Sequence, residues 1–176
     1  MSADDITGSD RIALLSPDPA TMRSVLGHFC TGVAVITGSQ GGRPLGFACQ
    51  SVTSVSLDPP YVSFCPSLTS TSWPPIRAGK ALCINVLADD QRAVCDAFAR
   101  SGGDKFVDVS WWRGDNGAPV LAGALATIEA EFVTDHEAGD HTIAVARVTG
   151  LHADADRSPL LFFQSSYGTF GPSASD

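Results

Sequence analysis

Between Gly46 and Pro60 the chain reads G-F-A-C-Q-S-V-T-S-V-S-L-D-P-P. Val52, Thr53 and Val55 give this stretch β-branched stiffness, so its composition is that of a strand. A half-buried strand alternates apolar and polar residues, and this one does not. Gln50, Ser51, Thr53, Ser54 and Ser56 place hydrogen-bonding groups on both faces. Each such group buried without a partner costs about 1–3 kcal/mol. A bound ligand rich in donors and acceptors would satisfy them, and so would water and neighbouring strands. Gly139-Asp140-His141 is a second candidate, where a turn runs into a strand. A histidine there can donate to or accept from a bound ring system, or face solvent beside a simple Gly-Asp turn. Lys105 is a third, since a lysine at the end of the loop Ser101-Gly102-Gly103-Asp104 can pair with a phosphate or be solvated.

Other chemistries find little support. Gly27-His28-Phe29-Cys30-Thr31-Gly32 has the glycine spacing of a phosphate-cradling loop, but no Lys-Ser/Thr follows and the segment ends a helix instead of opening one. No G-x-G-x-x-G follows a strand, so a Rossmann dinucleotide site is not expected. His28, His136, His141 and His152 contain no i, i+4 pair, and Cys49, His136 and His141 have no spacing that demands a metal, so none is expected. A Cys–His nucleophile pair lacks local support as well.

These groups sit in a chain of 176 residues, 44% hydrophobic, with a net charge of −8 and only 11 Lys and Arg. The length suits one domain with a core. The charge argues against nucleic acid and against anionic membrane surfaces as partners. The five cysteines are odd in number, widely spaced and mostly in apolar surroundings. They read as reduced thiols of a cytoplasmic protein. No apolar run reaches membrane-spanning length, and the polar, acidic N-terminus does not read as a signal peptide.

The elements follow from pattern. Residues 1–17 read as a mobile arm, 18–170 as a single domain, and 171–176 as a disordered tail. Asp18-Pro19 opens a helix whose Met22, Val25, Leu26 and Phe29 form an apolar stripe. Val33–Thr37 is a strand, followed by the turn 38–42 and one long strand from Pro44 to the break at Asp58-Pro59-Pro60. Strands are expected at Tyr61–Cys65, Leu82–Leu87, Ala124–Val133, Ile143–Leu151 and Leu160–Gln164. Helices are expected around Trp73 and Ile76, capped by Ser72 and closed by Gly79, and over the face Leu87, Gln91, Val94, Cys95 and Phe98. About seven strands with two or three short helices, and few helical crossovers, favour an antiparallel sheet or barrel.

Taken together, the chain resembles the short flavin reductases that serve two-component flavin-dependent monooxygenases. The resemblance rests on Met22–Val33, Gly46–Ser51, Ser54–Pro60, Cys83–Leu87, Asp104-Lys105-Phe106, Gly117–Leu121, Gly139–Ile143 and Pro159–Phe162. It covers residues 20–168 and is nearest to the reductase partners of actinobacterial aromatic or steroid-ring hydroxylases. It implies a mainly β fold, an FMN-binding split β-barrel of Greek-key antiparallel strands, usually a homodimer. It implies hydride transfer from NADH or NADPH to FMN or FAD, and release of reduced flavin to a separate oxygenase. A non-catalytic flavin carrier or sensor is the alternative. By the family pattern Pro44, Leu45, Gly46, Phe47, Ala48, Gln50 and Ser51 line the flavin ring and ribityl chain. Cys65, Pro66, Ser67, Thr71 and Ser72 hold the phosphate end, with Ala97, Phe98 and Lys105 near the flavin tail. His141 borders the nicotinamide, as the residue nearest the chemistry, with Phe162, Phe163, Gln164 and Ser165. Gln164 stands where many relatives carry an arginine.

Overall fold

The computed structural model describes residues 13–171. Residues 1–12 of the expected arm, and the expected tail over 172–176, lie outside the described residues. In chain order the elements are α1 (Pro19–Leu26), β1 (Thr31–Gly32), β2 (Ala34–Gln40), β3 (Arg43–Cys49), β4 (Thr53–Leu57) and β5 (Pro60–Phe64). Then come α2 (Trp73–Gly79), β6 (Ala81–Val86), α3 (Arg92–Ala99), β7 (Trp111–Arg113), β8 (Pro119–Leu121), β9 (Ala126–Ala138), β10 (His141–Ala153), β11 (Leu160–Phe163) and β12 (Ser166–Thr169). The fold is mainly β, and every strand pairing is antiparallel.

Seven strands form the main sheet in the order β3-β2-β6-β9-β10-β5-β4. Its two edge strands, β3 and β4, are consecutive in sequence and joined by Gln50, Ser51 and Val52 alone. Six strand spacings of a flat sheet would separate the edges by about 29 Å. The four Cα steps from Cys49 to Thr53 reach at most about 14 Å. The sheet must therefore curl until its edges approach without pairing, which is a split barrel. The single strand expected from Pro44 to Pro60 is thus two strands with a crossing between them. The polar residues that spoil alternation, Gln50 and Ser51, are the crossing itself.

Alternate residues of β2 feed two cores. Ala34 and Ile36 pack inside the barrel with Phe64, Trp73, Ile76 and Ile84. Val33 and Val35 face the other way, under α3, with Phe98, Phe106, Leu121 and Leu160. Burial on both faces explains why this strand reads as an apolar run. The fully buried Asn85 ties the layers together. Its Nδ2 donates to the Val35 carbonyl and to Thr37 Oγ1, and its Oδ1 accepts from Leu121 N at 2.8 Å.

Three expectations differ from what is found. The apolar stripe on the first helix is left exposed among the described residues, and α1 buries none of its residues. Ser72 precedes α2 but its side chain makes no capping bond. Ser70 Oγ accepts from Trp73 N at 3.1 Å instead. Twelve strands replace the expected seven among the described residues, partly because β12 carries Ser166 and Gly168, poor strand formers that pairing with β11 holds extended.

Candidate functional site

Gln50 and Ser51 of the crossing and the loop from Cys65 to Ser72 line a cleft of about 790 Å³. Both are held in place. Ser51 Oγ accepts from Cys65 N at 2.8 Å and lies 3.2 Å from Cys49 Sγ. Leu68 N donates to the Asp140 carbonyl, Thr142 N donates to the Pro66 carbonyl, and Ser67 bridges His141 in β fashion. The hairpin β9–β10 turns in two residues, Gly139 and Asp140, since Ala138 pairs with His141. Gly139 at φ +66° takes the left-handed conformation this tight turn needs. That turn delivers His141 to the cleft wall. His141 Nδ1 lies 2.7 Å from Asp140 Oδ1, and this hydrogen bond holds the Asp140 carboxyl below its usual range.

Lys105 is fixed from the other side. Its Nζ donates to the carbonyls of Gly46 at 3.2 Å and Phe98 at 3.1 Å, and partial burial lowers its pKa below 10.5. The approach depends on Gly46. A Cβ there would stand 2.7 Å from the Phe98 ring, so a larger residue would push α3 off β3 and take Lys105 with it.

The cleft brings together most of the residues expected there. Phe47, Ala48, Gln50, Ser51, Cys65, Pro66, Ser67, Thr71, Ser72, Phe98, Lys105, His141 and Phe162 line it. Pro44, Leu45 and Gly46 line a smaller adjoining chamber of about 260 Å³, which meets the cleft at Thr71, Ser72 and Lys105. Four expected residues line neither space. Ala97 packs into the apolar cluster under α3. Phe163 stacks edge-on with His28, their ring centroids 6.3 Å apart. Gln164 and Ser165, at φ 45° and 62°, make the β11–β12 turn, and Gln164 N donates to the Gly27 carbonyl.

Sequence reasoning missed Thr69, Ser70, Cys95, Arg100, Ser101 and Tyr167, which also line the cleft. Thr69 and Ser70 were legible in the hydroxyl-rich run from Ser67 to Ser72. Cys95 shares a helical face with Phe98. Tyr167 lies on the unforeseen β12, where its hydroxyl sits 3.2 Å from Cys95 Sγ and donates to Asp96 Oδ1. The contact with Cys95 raises the Tyr167 pKa, and burial raises that of Cys95. Among the described residues none that lines the large cleft is Asp or Glu, although the chain carries a net charge of −8. Its charged or titratable members apart from thiols and Tyr167 are Lys105, Arg100 and His141. Among the described residues no group of three or more His, Cys, Asp or Glu could hold a metal ion. No helix among them is long and apolar enough to cross a membrane.

Residues 26–171 match the family described as flavin reductase like domain. Over 168 residues the chain is 42% identical to the flavin-dependent monooxygenase reductase subunit HsaB of Rhodococcus jostii, covering 96% of this chain and 86% of that protein. The crystal structure of nitrilotriacetate monooxygenase component B from Mycobacterium thermoresistibile superposes with a TM-score of 0.86 at 41% identity, over 90% of each chain. The NADH:FAD oxidoreductase SgcE6 of Streptomyces globisporus C-1027, solved with NAD and FAD fragments, gives a TM-score of 0.88 at 34% identity, over 93% of this chain and 100% of that one. Barrel and cleft therefore define a class, the split-barrel oxidoreductases that act on flavin. The chain belongs to the flavin reductase-like family.

Ser51 makes a prediction that separates a framework role from a ligand role. Ser51→Ala leaves Cys65 N without its partner and is expected to lower unfolding free energy of the ligand-free protein by about 1 kcal/mol. Urea denaturation measures this. An unchanged midpoint would mean that the hydroxyl serves a ligand alone.

Proposed function

We propose that the protein is the reductase component of a two-component monooxygenase. It takes hydride from NADH, or from NADPH, passes it to FMN or FAD, and releases the reduced flavin to a separate oxygenase. The observation that carries this reading is the cleft, whose lining among the described residues holds hydroxyls and no carboxylate in an otherwise acidic chain. The name of the Rhodococcus relative, a reductase subunit of a flavin-dependent monooxygenase, supports it.

The donor set fits a phosphorylated flavin. Hydroxyls from Ser67 to Ser72 face Lys105, a cation that already spends two N–H groups on carbonyls and keeps the third for a ligand. Flavin, as substrate, supplies the hydride acceptor, so the protein's task is to orient two rings and exclude water. Positioning of this kind lowers the barrier by removing translational and rotational freedom beforehand. Beside the other wall the Asp140 carboxylate can only accept, so Nδ1 of His141 donates in that bond. Nε2 is then the ring nitrogen left to hydrogen-bond an amide such as a nicotinamide carboxamide. Gripping by neutral hydroxyls is weak and reversible, as release of the product requires.

A second copy of the chain is the expected occupant of the apolar face that α1 leaves open. Met22, Val25, Leu26 and Phe29 are 45%, 54%, 60% and 76% exposed, and such a patch on a small domain marks an interface. The five free thiols and the use of NADH support a cytoplasmic location.

Three measurements test these points. Purified protein should oxidise NADH or NADPH only when FMN or FAD is added; no flavin-dependent oxidation with either nucleotide would sink the assignment. His141→Ala should raise KM for the nicotinamide nucleotide about fivefold, the cost of one hydrogen bond, with little change in KM for flavin. Equal changes in both would return His141 to a turn residue. In solution the protein should have the mass of a dimer by light scattering, and Phe29→Glu should halve it; a wild-type monomer refutes the interface.

A further inference from the structure

We propose that the smaller chamber is an adenylate subsite, so that the flavin taken preferentially is FAD. This rests on the flavin reading above. At about 260 Å³ the chamber falls below the roughly 300 Å³ at which ligand pockets begin, so it is an annex of a larger site and not a site alone. It opens off the cleft where Thr71, Ser72 and Lys105 meet, the position of the donors suited to a phosphate. A group occupying it is therefore joined to the rest of the ligand through phosphate.

Its walls describe that group. Half-buried Pro44 and Leu45 give an apolar surface, and the exposed Arg43 stands beside them. Among the described residues Arg43 has no carboxylate within ion-pair distance. A free planar guanidinium stacks on a flat aromatic ring. Gly102 and Gly103, at φ +76° and +72°, offer backbone only, with nothing within 4 Å of where a side chain would begin. Asp104 accepts from Phe106 N through Oδ1, which leaves Oδ2 to accept from a ribose hydroxyl or an exocyclic amine. A flat, amine-bearing ring on a ribose phosphate matches all four surfaces. FMN ends at its phosphate and would leave the chamber to water.

NADH carries the same adenylate. His141, the residue suited to the nicotinamide, is bridged to Ser67, whereas the chamber opens at Thr71 and Ser72. The nucleotide would have to span the cleft past the flavin to reach it, so the flavin's own adenylate is favoured.

Quenching of flavin fluorescence by wild type and by Arg43→Glu, with FMN and FAD, tests the subsite, alongside KM for NADH at saturating FMN. Wild type should bind FAD about tenfold more tightly than FMN. Arg43→Glu should bring FAD to within about twofold of FMN and leave the FMN value in place. A variant that binds both flavins as wild type does but shows a raised KM for NADH would assign the subsite to the nicotinamide nucleotide. Equal affinities in wild type, with neither flavin binding nor KM altered in the variant, overturn it. Absence of quenching by either flavin overturns the flavin reading itself.

Discussion

The edges of the main sheet lie four Cα steps apart along the chain, and the cleft exists because of that tether. A seven-stranded antiparallel sheet left open would put β3 and β4 on opposite sides of the molecule. Gln50, Ser51 and Val52 forbid this. Where the edges approach without pairing, backbone groups and small side chains remain available, and the loop Cys65–Ser72 comes across to meet them. The bond from Cys65 N to Ser51 Oγ closes the circuit. A longer link would relax the closure at little thermodynamic cost, since loop entropy grows only slowly with length. The short link is thus a geometric device more than a stabilising one.

Charge is arranged against the average of the molecule. A chain with a net charge of −8 would repel a phosphorylated ligand if its carboxylates were spread evenly. Among the described residues they are kept off the lining of the large cleft, while Lys105 and Arg100 are placed on it. Lys105 is partly desolvated and anchored by two carbonyls. Anchoring fixes where its charge sits, so a ligand need not spend entropy ordering a flexible side chain.

Much of this was legible in the residues. The excess of hydroxyls between Gln50 and Ser56 signalled that something other than ordinary strand pairing happens there. It could not show that the strand breaks at Gln50, because a crossing between sheet edges is set by closure and not by local propensity. The stripe Met22, Val25, Leu26 and Phe29 has the periodicity of a packed helix, and periodicity is blind to whether the covering surface belongs to the same chain. The family resemblance groups Gln164 with the nicotinamide site. The turn that brings β12 back against β11 carries it away from the cleft lining. β12 has too few β-branched residues to be read without its partner, and Tyr167 was lost with it.

The hydroxyls of the cleft have a polarity that their number alone does not reveal. Ser51, Ser67 and Ser70 each accept from a backbone N–H, of Cys65, Thr69 and Trp73 respectively. A hydroxyl that accepts in this way has one lone pair engaged and its proton still to give. For Ser67 a further contact with Thr69 Oγ1 at 2.9 Å passes the proton along the pair, so one hydroxyl of the two still has a hydrogen to offer. The backbone therefore converts a row of ambivalent groups into donors. A donor-rich wall with no carboxylate in its described lining selects a ligand rich in acceptors, such as ring carbonyls and phosphate oxygens. Because these hydroxyls are neutral, each of their bonds contributes only about 1 kcal/mol net. Selectivity for acceptors and ease of release then come from the same feature, a lining in which backbone-primed hydroxyls outnumber the cations Lys105 and Arg100.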